Sequence, residues 1–186
     1  ATPWDFHADD PEAARGLAAM MAPWQPAIAL WGELPVDGVQ SLFALLDPLG
    51  ALKKFTGFAS VDPESAKARA FVTLEDWLND GVPLAGKVAR ECLDDWYGAN
   101  TPATGRWAIA GAPIDPAAIS CPSLHLIPAN DRIVPPASAS ALAAAMPGAE
   151  VVQPPLGHIG MVVGSRAPTE VWSRLAGWIR RTAPHR

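Results

Sequence analysis

The stretch Pro128-Ala129-Asn130-Asp131-Arg132-Ile133-Val134-Pro135-Pro136 puts a carboxylate in a loop directly after a short apolar run and before an alanine-rich segment. A second loop, Leu156-Gly157-His158-Ile159-Gly160, follows the next apolar run and carries an imidazole. Loops that leave neighbouring strands at one edge of a parallel sheet bring their side chains together where α/β enzymes hold their sites. The chemistry of such a pair is proton transfer: the acid fixes the imidazole tautomer, and the imidazole takes the proton of a nucleophile. Each residue alone has a plainer reading, Asp131 as a helix cap or partner of Arg132 and His158 as a turn residue between glycines. One residue in each of two adjacent strand-to-helix loops favours the pair.

Acid before imidazole, with the nucleophile earlier still, is the chain order of α/β-hydrolases. Their nucleophile sits on a strained elbow, G-x-[SC]-x-G, whose small flanking residues permit the turn. The only G-x-x-x-G in the sequence runs from Gly160 to Gly164 and is centred on Val162, so the elbow is not here. Cys92 lies within the helical pattern Arg90-Glu91-Cys92-Leu93, and Cys121 precedes Pro122 at a strand entrance, so both read as small packing residues. Asp5 is an alternative acid, since it falls where a preceding strand would end. Its competing role is loop capping. His7 at the entrance to a cap, His125 inside a strand and His185 in the tail read as structural residues. Gly81 to Lys87 imitates a phosphate-binding loop, but Val88 stands where Ser or Thr is required.

The elements that would position these residues follow from periodicity and punctuation. Ser123 to Ile127 and Glu150 to Gln153 read as strands, Ala137 to Met146 and Thr169 to Arg181 as helices. This β-α-β-α rhythm implies a parallel sheet. Upstream, Asp9-Asp10-Pro11 opens a helix that Pro23 and Pro26 stop. Helical patterns return from Val39 to Leu46, from Pro63 to Leu78, opened by Asp62-Pro63-Glu64, and from Leu84 to Tyr97. Trp24, Trp31, Trp77, Trp96 and Trp107 make this middle region aromatic, and its helices are expected to pack as a layer of their own. If Ala1 to Trp4 ends one sheet strand and Leu124 begins the next, the intervening length far exceeds a normal crossover. The expected organisation is therefore residues 1–8 as a strand end and loop, 9–105 as a helical cap, and 106–186 as the C-terminal part of an α/β-hydrolase core.

Composition bounds the function. The 186 residues are 49% hydrophobic and carry a formal charge of −5, with Lys and Arg scattered apart from Lys53-Lys54 and Arg180-Arg181. No basic face is available for nucleic acid. Two cysteines in unlike surroundings, with no C-x-x-C spacing, signal neither a disulfide framework nor a metal site. No run approaches a membrane span and no signal-peptide pattern opens the chain, so a soluble cytoplasmic protein is expected. The first residue is not Met, and the opening residues read as a strand tail, so truncation is expected.

Four segments together carry a family resemblance. Asp131-Arg132-Ile133-Val134-Pro135 and Gly157-His158-Ile159, with Trp77-Leu78-Asn79-Asp80 and Gly111-Ala112-Pro113-Ile114-Asp115, resemble polyhydroxyalkanoate synthases from about Phe71 to Val163. Thr2 to His7 looks like the strand end of a divergent, shorter branch. The resemblance implies an acyltransferase with a cysteine nucleophile that passes 3-hydroxyacyl groups from coenzyme A onto a growing polyester. It implies His158 as base and Asp131 as orienting acid, with Asp131 also helping to activate the substrate's 3-hydroxyl. Coenzyme A enters as the thioester substrate, no cofactor is implied, and a polyester granule is a candidate location.

The nucleophile and the oxyanion hole would come from strands preceding Ala1, so the chain alone is expected to have no turnover. A hydrolase of the same fold acting on esters or thioesters is the alternative, and a non-catalytic interaction module with a tryptophan-rich cap is the third reading. Tryptophans that simply form the core of a helical layer explain the same pattern. A sheet cut in half exposes apolar edges, so the chain is also expected to aggregate or to pair as a homodimer.

Overall fold

The computed structural model describes residues 2–46 and 49–183. Ala1 and His185 lie outside the described residues. The order of elements is α1 (Pro11–Met20), α2 (Gln25–Trp31), β1 (Glu33–Leu34), α3 (Val36–Leu46), α4 (Gly50–Phe58), α5 (Ala66–Asn79), β2 (Leu84–Ala85) and α6 (Gly86–Arg90). A π-helical segment, Glu91–Gly98, precedes β3 (Ala108–Ile109), β4 (Ala112–Pro113), β5 (Leu124–Leu126), α7 (Pro136–Ala145), β6 (Glu150–Val152), α8 (Gly160–Val163) and α9 (Ser173–Thr182). The fold is mixed α/β with small two-stranded sheets. Among the described residues no helix is long and apolar enough to cross a membrane.

The chain divides into two compact units, one of residues 21–91 and one of residues 1–20 with 92–186. The smaller is mostly helical. Its core holds Met21, Ile28, Leu34, Ala68 and Ala89, all buried. The short antiparallel pair β1–β2 matches Leu34 with Leu84. Gly86 lies so close to the turn after α2 that its amide donates to Gly32 O at 2.7 Å. A Cβ there would stand 2.9 Å from that same oxygen and 2.9 Å from Ile28, so only glycine fits without displacement. Phe58 stacks on Phe71 at 4.1 Å between α4 and α5.

In the larger unit, β5 and β6 pair in parallel, matching Leu124 with Glu150 and Leu126 with Val152. α7 is the crossover between them, and it covers the pair by burying Ala139 and Ala143 against Ile127 and Val134. This is the β-α-β unit that the alternation of short apolar runs and an alanine-rich segment predicts. The ladder extends past the strands, with Ile127 donating to Val152 O at 2.9 Å and Ala129 to Pro154 O at 2.9 Å. Asn130 then donates to Leu156 O at 3.0 Å, so the two loops that follow the strands remain tied to each other.

Element boundaries depart from sequence expectation where local hydrogen bonds compete. The helix expected from Pro63 starts instead at Ala66, because Asp62 and Ser65 close a turn and Ser65 Oγ then accepts from Ala68 N at 3.0 Å. Ser65 is the N-cap that periodicity alone could not distinguish from the acidic cluster before it. The continuous helix expected from Leu84 to Tyr97 is broken into β2, α6 and the π-helical segment. Residues 2–4 form no strand. They lie instead against α7, where Trp4 N donates to Ser138 Oγ at 3.2 Å. The tryptophans are not one layer. Trp96 and Trp107 meet edge to face at 5.2 Å and join Trp4 and Phe6 in the larger unit, whereas Trp31 and Trp77 are exposed in the smaller one.

Candidate functional site

Asp131 and His158 stand on the two loops just described. The Asp131 side chain is fully buried, and each of its oxygens has a separate task. Oδ1 accepts from the backbone amides of Ile133 and Val134, both at 2.9 Å. Oδ2 lies 2.8 Å from Nδ1 of His158. Asp131 does not cap α7, whose N-cap is Pro135 with no side-chain hydrogen bond; one carboxylate instead closes the turn of its own loop and meets the imidazole.

A carboxylate accepts only, so the proton of this contact is carried by Nδ1 and donated to Asp131. In the neutral ring that leaves Nε2 with its lone pair. The His158 side chain is 27% exposed while that of Asp131 is closed off from solvent, so the pair is sealed at the carboxylate and partly accessible at the ring. Met161 N donates to Gly157 O at 3.0 Å, which begins the turn of α8 directly beside the imidazole. The pair can fix one tautomer and take a proton at Nε2.

Asp5, the alternative acid, is engaged elsewhere. Its Oδ1 accepts from His7 N at 2.9 Å and from Asn100 Nδ2 at 2.8 Å. Asn100 returns the contact by accepting from Phe6 N at 3.0 Å through its own Oδ1. His7 contacts Tyr97 O through Nε2 at 2.8 Å. His125 sits in β5, where burial lowers the pKa of its imidazole. Tyr97 is held above its ordinary pKa by burial and, secondarily, by the charge of Cys92. Cys92 is half-buried in the π-helical segment, and Cys121 is exposed before β5. Among the described residues no three His, Cys, Asp or Glu side chains gather as a metal site.

Two residues here escape sequence reasoning. Ser138 is buried in the first turn of α7 and accepts from Trp4 N, while its carbonyl takes Asp5 N at 3.5 Å. Asn100 is buried and adopts φ +51°, a left-handed conformation that Asn tolerates better than most residues. The run Gly98-Ala99-Asn100-Thr101-Pro102 carries the turn signal, but the partners of Asn100 lie about ninety-five positions away and leave no trace in local sequence.

An α/β chain with a buried carboxylate oriented on a half-open imidazole defines a class of acid–base site. Comparison with known proteins narrows it. The chain is 30% identical over 152 residues to a poly(3-hydroxyalkanoate) polymerase subunit of Synechocystis, covering 80% of this chain and 40% of that protein. It is 29% identical over 152 residues to the subunit of the same name from Haloferax mediterranei, covering 80% of this chain and 31% of that one. A third subunit, from Allochromatium vinosum, is 27% identical over 156 residues, covering 82% of this chain and 44% of the relative. The chain is thus a relative of the polyhydroxyalkanoate synthases, as its motifs indicate, and it spans less than half the length of the curated relatives it matches. No family model matches it, and no solved structure matches it significantly.

Proposed function

We propose that this chain supplies the acid and the base of a polyhydroxyalkanoate synthase-like acyltransferase of α/β-hydrolase fold. Asp131 is the orienting acid and His158 the base. The single observation that carries this reading is the 2.8 Å contact of Asp131 Oδ2 with His158 Nδ1, which fixes the tautomer needed at Nε2. Its class comes from the name its relatives share, poly(3-hydroxyalkanoate) polymerase subunit.

In this reading a cysteine thiol gives its proton to His158 Nε2, and the thiolate attacks the thioester carbonyl of a 3-hydroxyacyl-coenzyme A. The imidazolium so formed is stabilised by the buried Asp131 carboxylate and returns the proton to the leaving coenzyme A thiolate. In chain extension, Asp131 helps activate the substrate's 3-hydroxyl, whose oxygen attacks the polyester's thioester carbonyl on the cysteine; the cysteine thiolate leaves and takes up the hydroxyl proton. The thiol is contributed by residues outside this sequence, which contains no G-x-[SC]-x-G. In this reading residues 9–105 are a helical insertion, of which residues 21–91 form a compact unit of their own, and residues 106–186 belong to the core. The protein acts in the cytoplasm, at the polyester granule.

Two results test the proposal. Pure protein of residues 1–186 releases no coenzyme A from 3-hydroxybutyryl-coenzyme A, and measurable release by it overturns the division of labour. In-frame translation of the coding DNA ahead of Ala1 yields a strand and a Cys-centred elbow. A Ser-centred elbow moves the assignment to an ester or thioester hydrolase, and a stop codon with no elbow overturns catalysis altogether.

A further inference from the structure

We propose that Asn100 is a positioning residue for the Asp131–His158 pair, acting through the chain segment Trp4 to His7. This rests on the reading of that pair as acid and base.

Both ends of the Asn100 side-chain amide are engaged. Asn100 Nδ2 donates to Asp5 Oδ1 at 2.8 Å, and Asn100 Oδ1 accepts from Phe6 N at 3.0 Å. The backbone of Asn100 is held as well, its N–H donating to Trp96 O at 3.0 Å and its carbonyl accepting from Thr104 Oγ1 at 2.9 Å. A buried residue fixed on both sides, in a left-handed conformation, anchors the segments it joins.

What it anchors reaches the acid. Asp5 and Trp4 donate their amides to Ser138, which is 3% exposed in the first turn of α7. α7 begins at Pro136, two residues beyond the Val134 amide that caps Asp131 Oδ1. Asn100, Asp5, Trp4, Ser138 and the Asp131 cap thus form one connected series of hydrogen bonds and adjacent backbone. Releasing Asn100 frees residues 4–7, leaves Ser138 without its partners, and loosens the turn on which the acid is mounted.

The contact has a polarity that can be reversed. Asp5→Asn keeps an oxygen facing both donors, so it is mild. Asn100→Asp removes the donor and sets two carboxylates face to face in a buried place, so it is severe. The double variant Asp5→Asn with Asn100→Asp restores a donor opposite an acceptor and leaves an oxygen for Phe6 N, but one atom of residue 5 faces both His7 N and residue 100 in the parent, so its side chain must turn to keep an oxygen on His7 N and the recovery is partial.

The test uses the whole chain and reads amide hydrogen exchange at Trp4, Phe6 and His7 together with the Nδ1 proton resonance of His158. In Asn100→Asp the three amides exchange about tenfold or more faster, and the Nδ1 proton broadens or is lost. Both return toward the parent in the double variant, while Asp5→Asn stays close to the parent throughout. An Asn100→Asp protein with parental exchange at these amides overturns the anchor, as does a double variant no better than Asn100→Asp. An Nδ1 resonance that does not move while the three amides are released shows a purely structural residue and overturns the positioning role. Should Asn100→Asp fail to fold, the double variant and Asp5→Asn still decide between these outcomes. None of these readings needs turnover, so failure of the acyl-transfer proposal registers separately, as coenzyme A release by residues 1–186.

Discussion

Asp131 Oδ2 lies 2.8 Å from His158 Nδ1 while Asp131 Oδ1 is occupied by two backbone amides of its own loop. The carboxylate cannot rotate toward or away from the ring without breaking its own caps. Orientation of the imidazole is therefore built from the local fold of residues 131–134, in addition to the packing around His158.

That division predicts different behaviour for two substitutions. Asp131→Ala removes the acceptor for Ile133 N, Val134 N and the imidazole at once and is expected to cost about 1–3 kcal/mol of stability. Asp131→Asn retains an oxygen for the two amides and is expected to cost less than Asp131→Ala. Denaturant unfolding of the two variants checks the order, and equal losses would show that the caps contribute nothing.

The core under the acid loop predicts a second effect. Ile127 is 1% exposed and packs with Val134, Ala139 and Ala143. Ile127→Ala leaves a cavity between β5 and α7 and is expected to destabilise the larger unit by about 2–5 kcal/mol, measured by the same unfolding experiment. Ile127→Val removes one methyl and is expected to cost about 0.5–1.5 kcal/mol.

In the smaller unit, Gly86→Ala brings a Cβ to 2.9 Å from Gly32 O and from Ile28 Cγ2. The expected cost is about 1–3 kcal/mol, felt locally. Amide exchange should accelerate at Gly86 and Gly32 first, and unchanged protection at both would mean that the turn yields freely.

His125 sets a pH dependence. Burial lowers its folded-state pKa below the ordinary histidine value of 6.5. The unfolded chain then binds the proton more readily, so stability falls as pH drops from about 6.5 toward the folded-state value and is level in this group's contribution above 6.5. His125→Gln is expected to remove that slope, which thermal melting between pH 5 and 8, an assay window of roughly that width around the histidine range, will show.

Much of the larger unit is legible in sequence. Short apolar runs at 123–127 and 150–153 fix β5 and β6 within a residue or two, and the alanine-rich run between them fixes α7. The loops carrying Asp131 and His158 follow from those strands. What local sequence does not carry is the long-range pairing. Residues 2–4 have the apolar-then-acidic look of a strand end, yet no strand forms, and the amides of Trp4 and Phe6 go to Ser138 and Asn100 instead. The run Leu84 to Tyr97 has helical periodicity throughout, but the Gly32–Gly86 contact imposes a short strand at its start. Trp107, grouped by sequence with the other tryptophans, meets Trp4 at 5.9 Å and Trp96 at 5.2 Å, a long-range contact that local sequence does not show.

The most direct measurement is the nitrogen NMR spectrum of the His158 ring at a pH where the ring is neutral, in the parent and in Asp131→Asn. The parent should show the proton on Nδ1 and the lone pair on Nε2. The substituted side chain would present an N–H where the carboxylate oxygen stood, so the tautomer should switch to Nε2–H. A parent ring already protonated at Nε2, or a tautomer indifferent to Asp131→Asn, would contradict the assignment of Asp131 and His158 as acid and base.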